Sequence, residues 1–320
     1  MIVDLDRDDP ANPLVATHPR FLLTGTLDRE ILVRAIELVV ARNKILSARA
    51  ADVGGVTHQF LDGDAPVVSV ESESFANVPE SRHDERWSEL MTRTTSRLDL
   101  ARGELVRPVL VSLAPTRQVL LLTIHHFAFD RGSVKPLLEE LRDCYNALAS
   151  DKPLPEPPPQ FMDLAVYLDG LPQTERGQQA LAFWHQTLAG AQPLALPTQH
   201  SRAAVDAQRE TAPRGVRPFP VGGQVNAVIP PRVYADLQQL VRTERAMAFM
   251  VLLASVVATL QRTTGQEDVI LRMTHSLRGT PGAHRMIGFV ANHLLIRVDA
   301  SGNPSFRELL KRARSAVSMA

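Results

Sequence analysis

The chain has 320 residues, 44% apolar and 22% charged, enough for one large core or two packed subdomains of an ordinary globular protein. Lysine plus arginine and aspartate plus glutamate both number 35, so no global field draws in nucleic acid or an anionic membrane surface. Cys144 is the only cysteine, which excludes an internal disulfide and is compatible with a reducing compartment.

The opening MIVDLDRDDP lacks the basic start and apolar stretch of a secretory signal. The longest apolar run, Phe249 to Leu260, is shorter than the roughly 20 residues needed to span a bilayer. A cytoplasmic protein is expected. Phe21 to Gly25 reads as a strand, and a helix follows Asp28, its expected N-cap, with Ile31, Leu32, Ala35, Ile36, Val39 and Val40 on one face. Val56–Leu61 and Val67–Val70 are predicted as short strands, and a polar helix over 84–97 buries Trp87, Leu90 and Met91.

Val106–Leu113 and Val119–Ile124 are predicted as two strands joined by the turn Ala114-Pro115-Thr116-Arg117. The second is apolar on both faces apart from Thr123, the pattern of a strand covered on both sides. After His125 and His126, Ser133 is placed to cap a helix carrying Val134, Leu137, Leu138, Leu141 and Tyr145, with Pro136 in its first turn. PLPEPPP (153–159) is a stiff extended connector to a short helix, FMDLAVYLDG, and a longer one through Ala180–Leu188. Thr198–Gly223 is polar and rich in arginine, proline and glycine, hence a long loop.

Beyond it the pattern predicts a strand at Ala227–Ile229, helices at Arg232–Arg242 and Ala248–Arg262, strands at Val269–Met273 and His293–Val298, and a last helix from Pro304. Strands alternating with helices in both halves point to an α/β architecture of two subdomains.

The chemistry-bearing stretch is HHFAFDRGS, residues 125–133. Adjacent strand residues face opposite ways, so His125 and His126 are a poor chelating pair, and no cysteine cluster supports a metal. A histidine at a strand end suits proton transfer because its ordinary pKa lies near neutrality. Two readings of these residues stand side by side: a reaction centre, or strand-end histidines with satisfied hydrogen bonds and an aspartate that makes a turn. There is no nucleophile elbow, phosphate loop or dinucleotide fingerprint, and a hydrolase triad around Ser133 competes with its role as a cap.

HHFAFDRGS resembles the HHxxxDG signature of the condensation domains of nonribosomal peptide synthetases, within the chloramphenicol-acetyltransferase-like superfamily. The surrounding blocks strengthen the likeness and follow in the family's order from about residue 21 onward. They are TGTLDREILVRAIELVVARNKIL, RLDLARGELVRPVL, QFMDLAVYL, FWHQTLAGAQPLALPTQHSR, GQEDVILRMTHSLRG and MIGFVANHLLIRVDASGNPSFRELL. The resemblance implies two acetyltransferase-like subdomains arranged in a V, here expected at 1–172 and 173–320, with the second incomplete at its C-terminus. It implies no metal or redox cofactor. The substrates it implies are a donor and an acceptor carried on phosphopantetheine by acyl or peptidyl carrier proteins, joined through an amide or ester bond.

By the same resemblance His126 is the catalytic group, and His125, Asp130 and Arg278 support the site, Asp130 pairing with Arg278. Arg131, Gly132, Ser133 and Asn292 would line the tunnel or the substrate. Beyond the incomplete C-terminal end, three features depart from the family's pattern. Asn43 stands where histidine is usual, and the family's first motif has no match in residues 1–20. Most notably, Arg131 occupies the motif-glycine position, with Gly132 one residue late. Such a glycine serves a left-handed turn or close approach of another group. Alternatives to carrier-dependent condensation are a free-standing acyl-CoA-dependent acyltransferase and a degenerate module that binds carriers without catalysis.

Overall fold

The structure is a computed structural model and describes residues 15–61, 68–198 and 225–320. The chain divides into two compact units, Met1–Gly170 with Ser276–Asn292, and Leu171–His275 with His293–Ala320. The sequence pattern runs the second subdomain unbroken from residue 173; by compactness, Ser276–Asn292 sits with the first unit.

The first unit is built on a five-stranded sheet of β1 (Ala16–Thr17), β2 (Arg20–Thr24), β5 (Glu71–Ser74), β6 (Val106–Ala114) and β7 (Arg117–His125). β3 (Arg49–Val53) and β4 (Val56–Phe60) form a separate hairpin. β7 is the central strand, antiparallel to β6 on one side and to β1 and β2 on the other, while β5 runs parallel to β6. Every residue of β7 from Val119 to His125 is buried, as its two-faced apolarity predicts.

The strand period of two sorts these side chains. Leu120, Leu122 and Ile124 face the core shared with α1 (Arg29–Arg42) and α3 (Val134–Ala149). Val119 and Leu121 face Phe75, Trp87 and Leu90, the last two on α2 (His83–Thr95). Thr123 falls on that second face, where its hydroxyl lies 2.6 Å from Thr94 Oγ1, so the polar residue in the strand is satisfied.

Helix α1 starts where its cap predicts: Asp28 accepts from the Ile31 N–H at 3.1 Å. At its other end Asn43, 2% exposed, donates from Nδ2 to Val39 O and to Glu140 Oε2, each at 2.8 Å. Arg42 donates to Glu140 Oε1 (2.9 Å) and to the Pro155 and Glu156 carbonyls (3.0 and 2.8 Å), which holds the proline-rich connector against α1 and α3. The connector leads into α4 (Phe161–Gly170).

The second unit contains α5 (Glu175–Leu188), α6 (Pro231–Thr243), α7 (Ala248–Thr264), most of the paired strands β8 (Asp268–Ser276) and β9 (Ala291–Asp299), and α8 (Phe306–Met319). Its core joins Met250, Ala254 and Val257 of α7 to Ile296 and Val298 of β9 and Leu309 and Leu310 of α8. Arg297 grips both Asp268 oxygens at 2.8 Å and donates to the Thr187 and Ala189 carbonyls, placing a cation at the C-terminal end of α5. Ser305 and Glu308 form a full capping box at the start of α8.

Three expectations change. The strand expected at Val67–Val70 forms instead at Glu71–Ser74, where the backbone pairs with β6; Val68 and Val70 are buried core residues outside the ladder, and Val67 lies outside the described residues. Ala227–Ile229 is not a strand, and Val228 is 90% exposed with no partner strand among the described residues. Ser133 stands at the N-cap position of α3 without capping it, because its hydroxyl is used elsewhere. Of the long loop expected at Thr198–Gly223, all but Thr198 lies outside the described residues.

Candidate active site

The candidate residues gather where β7 ends. His125 is fully buried, its N–H donates to Leu105 O at 2.9 Å, and its Cα pairs with Ala16 of β1. Its ring Nδ1 accepts from the Phe127 N–H at 3.1 Å. A backbone N–H can only donate, so Nδ1 carries no proton and the imidazole is neutral with hydrogen on Nε2.

His126 leaves the strand with its N–H held by Val15 O at 2.7 Å. Its ring is partly exposed, and its Nδ1 lies 2.6 Å from the Phe129 carbonyl. A carbonyl can only accept, so here Nδ1 carries the proton, and in the neutral ring the lone pair is on Nε2. The two neighbouring histidines therefore hold opposite tautomers, each set by one backbone group. His126 has the arrangement of a general base: one nitrogen anchored, the other able to accept a proton.

Asp130 points away from this work. It is 7% exposed; its Oδ1 accepts from Ser133 N (2.8 Å), Ser133 Oγ (2.8 Å) and Arg278 Nη2 (2.6 Å), and its Oδ2 from Val290 N (3.0 Å). Arg278 also donates through Nη1 to Met286 O at 2.5 Å and Ala283 O at 3.3 Å, and through Nη2 to Ser133 Oγ at 2.8 Å. A buried carboxylate with a matching cation and this many donors is a well-compensated pair, although Arg278 Nε has no hydrogen-bond partner among the described residues. It ties the strand-end loop to Ser276–Asn292, a segment of the same unit some 150 positions on.

Ser133 is fully buried and saturated. Its Oγ receives Arg278 Nη2 and the Gly288 N–H (3.1 Å), and its single hydrogen is shared between Asp130 Oδ1 and Gly288 O (2.8 Å). That leaves it neither a nucleophile nor a group facing substrate, in contrast with the expectation of a lining residue.

Gly132 has a steric role of its own. Its backbone is not left-handed, so dihedral freedom is not what it supplies. A methyl group there would run into the Arg278 guanidinium, striking Nε and coming within 3.0 Å of Cδ. The close approach that demands a glycine is that of an arginine of the same unit. Arg131 is exposed and makes no hydrogen bond or ion pair among the described residues. Asn292 is exposed on β9.

Sequence reasoning missed the Phe129 carbonyl, which has no side-chain signature, and Phe289, whose ring meets the His126 ring edge-on at 5.3 Å and 62°. Phe289 sits in an apolar run, IGFVAN, that reads as ordinary core. Gly288 beside it has φ +156°, and Phe161 covers it so closely that a Cβ would lie 2.5 Å from the phenyl ring. Among the described residues no group of three or more His, Cys, Asp or Glu side chains is arranged to hold a metal.

A family model described as "Condensation domain" matches residues 17–320. The chain is 32% identical over 320 residues to a linear gramicidin synthase of Brevibacillus parabrevis, covering 98% of this chain and 6% of that protein. It is 31% identical over 317 residues to the phosphinothricin tripeptide synthetase PhsB of Streptomyces viridochromogenes, covering 98% of this chain and 25% of that protein. The chain thus spans a quarter or less of the length of these two relatives. It superposes on the SgcC5 protein of Streptomyces globisporus with a TM-score of 0.79 at 25% identity, covering 97% of this chain and 68% of that one. The first condensation domain of the calcium-dependent antibiotic synthetase shares the fold at a TM-score of 0.72 and 23% identity, over 99% of this chain and 72% of that one.

Proposed function

From a chain that belongs to the condensation-domain family, we propose an enzyme that joins a carrier-bound acyl or peptidyl thioester to an amine acceptor, with a hydroxyl acceptor giving an ester instead. The observation that carries this reading is the His126 imidazole, held by the Phe129 carbonyl with its Nε2 lone pair available. In the proposed step the acceptor nitrogen attacks the thioester carbonyl carbon, and Nε2 takes a proton from that nitrogen as the new bond forms. The tetrahedral intermediate collapses, the C–S bond breaks, and the proton passes to the leaving sulfur.

Proton transfer of this kind contributes about 10²–10⁴ in rate, and holding two tethered reactants together adds a positional gain. His125 and the Asp130–Arg278 pair serve the scaffold. Phosphopantetheine enters as the substrates' arm, carrier proteins are the partners, and the setting is the cytoplasm.

Two observations support catalysis over a binding-only role. Arg131 is exposed and unengaged among the described residues, and Gly132 leaves the Arg278 side chain room to hold Asp130. The test is product mass spectrometry with carrier-bound donor and acceptor. His126→Ala is expected to lose ~10²–10⁴ in rate, and undiminished turnover would refute the assignment. Replacing the donor carrier with an acyl-CoA is expected to slow the reaction strongly; equal rates would point to a free-standing acyltransferase.

A further inference from the structure

Asp130 makes no hydrogen bond to His126, which raises the question of how the buried cluster reaches the ring that does the chemistry. The route lies through backbone on either side of Phe289. Gly288 is pinned through both its N–H and its carbonyl to the Ser133 hydroxyl, and Phe161 covers its α-carbon. Val290 donates to Asp130 Oδ2 at 3.0 Å, and its carbonyl accepts from Leu277 N at 3.1 Å. Phe289 is thus suspended between two anchored residues and delivered onto the imidazole, 5.3 Å between centroids and 62° between planes. Tilted pairs at that separation are a favoured aromatic arrangement.

The His126 ring needs this. Among the described residues one hydrogen bond, Nδ1 to Phe129 O, restrains a ring whose terminal torsion is intrinsically broad. Rotation about that torsion would swing Nε2 away and release Nδ1. An aromatic ring seated against the imidazole closes that motion.

We propose that Phe289 is a positioning residue that fixes the His126 imidazole for proton transfer, and that the Asp130–Ser133–Arg278 cluster acts on the reaction by holding Phe289 in place. The kinetic part rests on the function proposed above; the orientation of the ring does not.

The experiment pairs a transfer assay with ¹⁵N NMR of the histidine side chains in the full chain. The assay uses an aminoacyl N-acetylcysteamine thioester as donor and an aminoacyl-carrier protein as acceptor. Phe289→Ala and Phe289→Leu are expected to lower kcat by about 10- to 100-fold, with KM for both substrates within about twofold. Phe289→Tyr, which keeps the ring, is expected to stay within about threefold of wild type. In a His126→Ala background, Phe289→Ala is expected to cost nothing further, because groups that act as one unit are not additive. Full activity in Phe289→Leu, or losses that multiply in the double variant, would overturn the proposal.

The NMR arm works whether or not the chain turns over these substrates. Wild-type His126 is expected to show the Nδ1–H tautomer, and Phe289→Ala a mixture of tautomers. An unchanged spectrum would refute the positioning role. A wild type without product but with the shifted spectrum would refute the proposed function alone.

Discussion

Replacing Gly132 with alanine adds one methyl group at a point where the Arg278 side chain already fills the space. Arg278 must then withdraw, and it holds Asp130, Ser133 and the Met286 and Ala283 carbonyls. Overpacking alone costs about 1–3 kcal/mol, and fully breaking a buried pair about 3–5 kcal/mol. With the pair strained rather than lost, a loss of about 3 kcal/mol is expected, roughly a hundredfold in the folding constant. For a unit of this size that corresponds to a fall in Tm of about 6–12 °C.

The chain has two tryptophans, Trp87 in the first unit and Trp184 in the second, so a Trp184→Phe background leaves Trp87 fluorescence to report on the unit that contains Gly132. Arg131→Gly is the matched control and is expected to shift stability by no more than about 0.5 kcal/mol. In an Arg278→Ala background the three atoms nearest the added methyl, Arg278 Nε, Cδ and Cζ, are gone, so the Gly132→Ala penalty is expected to shrink. A Gly132→Ala protein as stable as wild type, or a penalty unchanged without Arg278, would refute the steric account.

The Thr94–Thr123 hydroxyl pair predicts that Thr123→Val costs about 1 kcal/mol, while the Thr94→Val/Thr123→Val double variant loses less than the two singles combined, measured by urea unfolding. Asn43→Leu leaves Glu140 Oε2 and Val39 O without their donor and is expected to cost about 1–3 kcal/mol, whereas Asn43→His keeps a donor and should be milder in the same measurement. Burial holds the His18 pKa below its usual 6.5, so the unfolded chain takes up a proton first as pH falls. The stabilising contribution of neutral His18 is therefore complete above about pH 6.5 and is lost as pH drops from there through the folded value. His18→Gln should flatten that part of the stability–pH curve, and an unchanged curve would sink the idea.

What was legible in the sequence follows from what local pattern encodes. The faces of α1 and the two-sided burial of β7 announce themselves because burial repeats at the period of the element. The strand at Glu71–Ser74 did not, since its polar residues are held by backbone pairing with β6, whereas the apolar pattern just before it comes from Val68 and Val70, which are buried in the core outside the ladder. The placement of Ser276–Asn292 with the first unit depends on Asp130, Ser133 and Val290 meeting across the chain, which no local window contains. Within the site, resemblance brought Asp130 and Arg278 together in advance. The tautomer of His126 rests on a main-chain carbonyl and was invisible to any reading of side chains.

The glycine at 132 also bears on how such a signature should be recognised. What this chain needs is an empty volume beneath one guanidinium, and its glycine stands one position later than the usual spelling. A pattern search demanding glycine directly after the aspartate would discard this chain, although its arginine clasp is intact. Signatures of this kind are better written as pairs, with the glycine admitted wherever the distant arginine comes to rest. Sequences in which both have drifted together would then be recovered, and those keeping the glycine after losing the arginine would stand out as the ones to doubt.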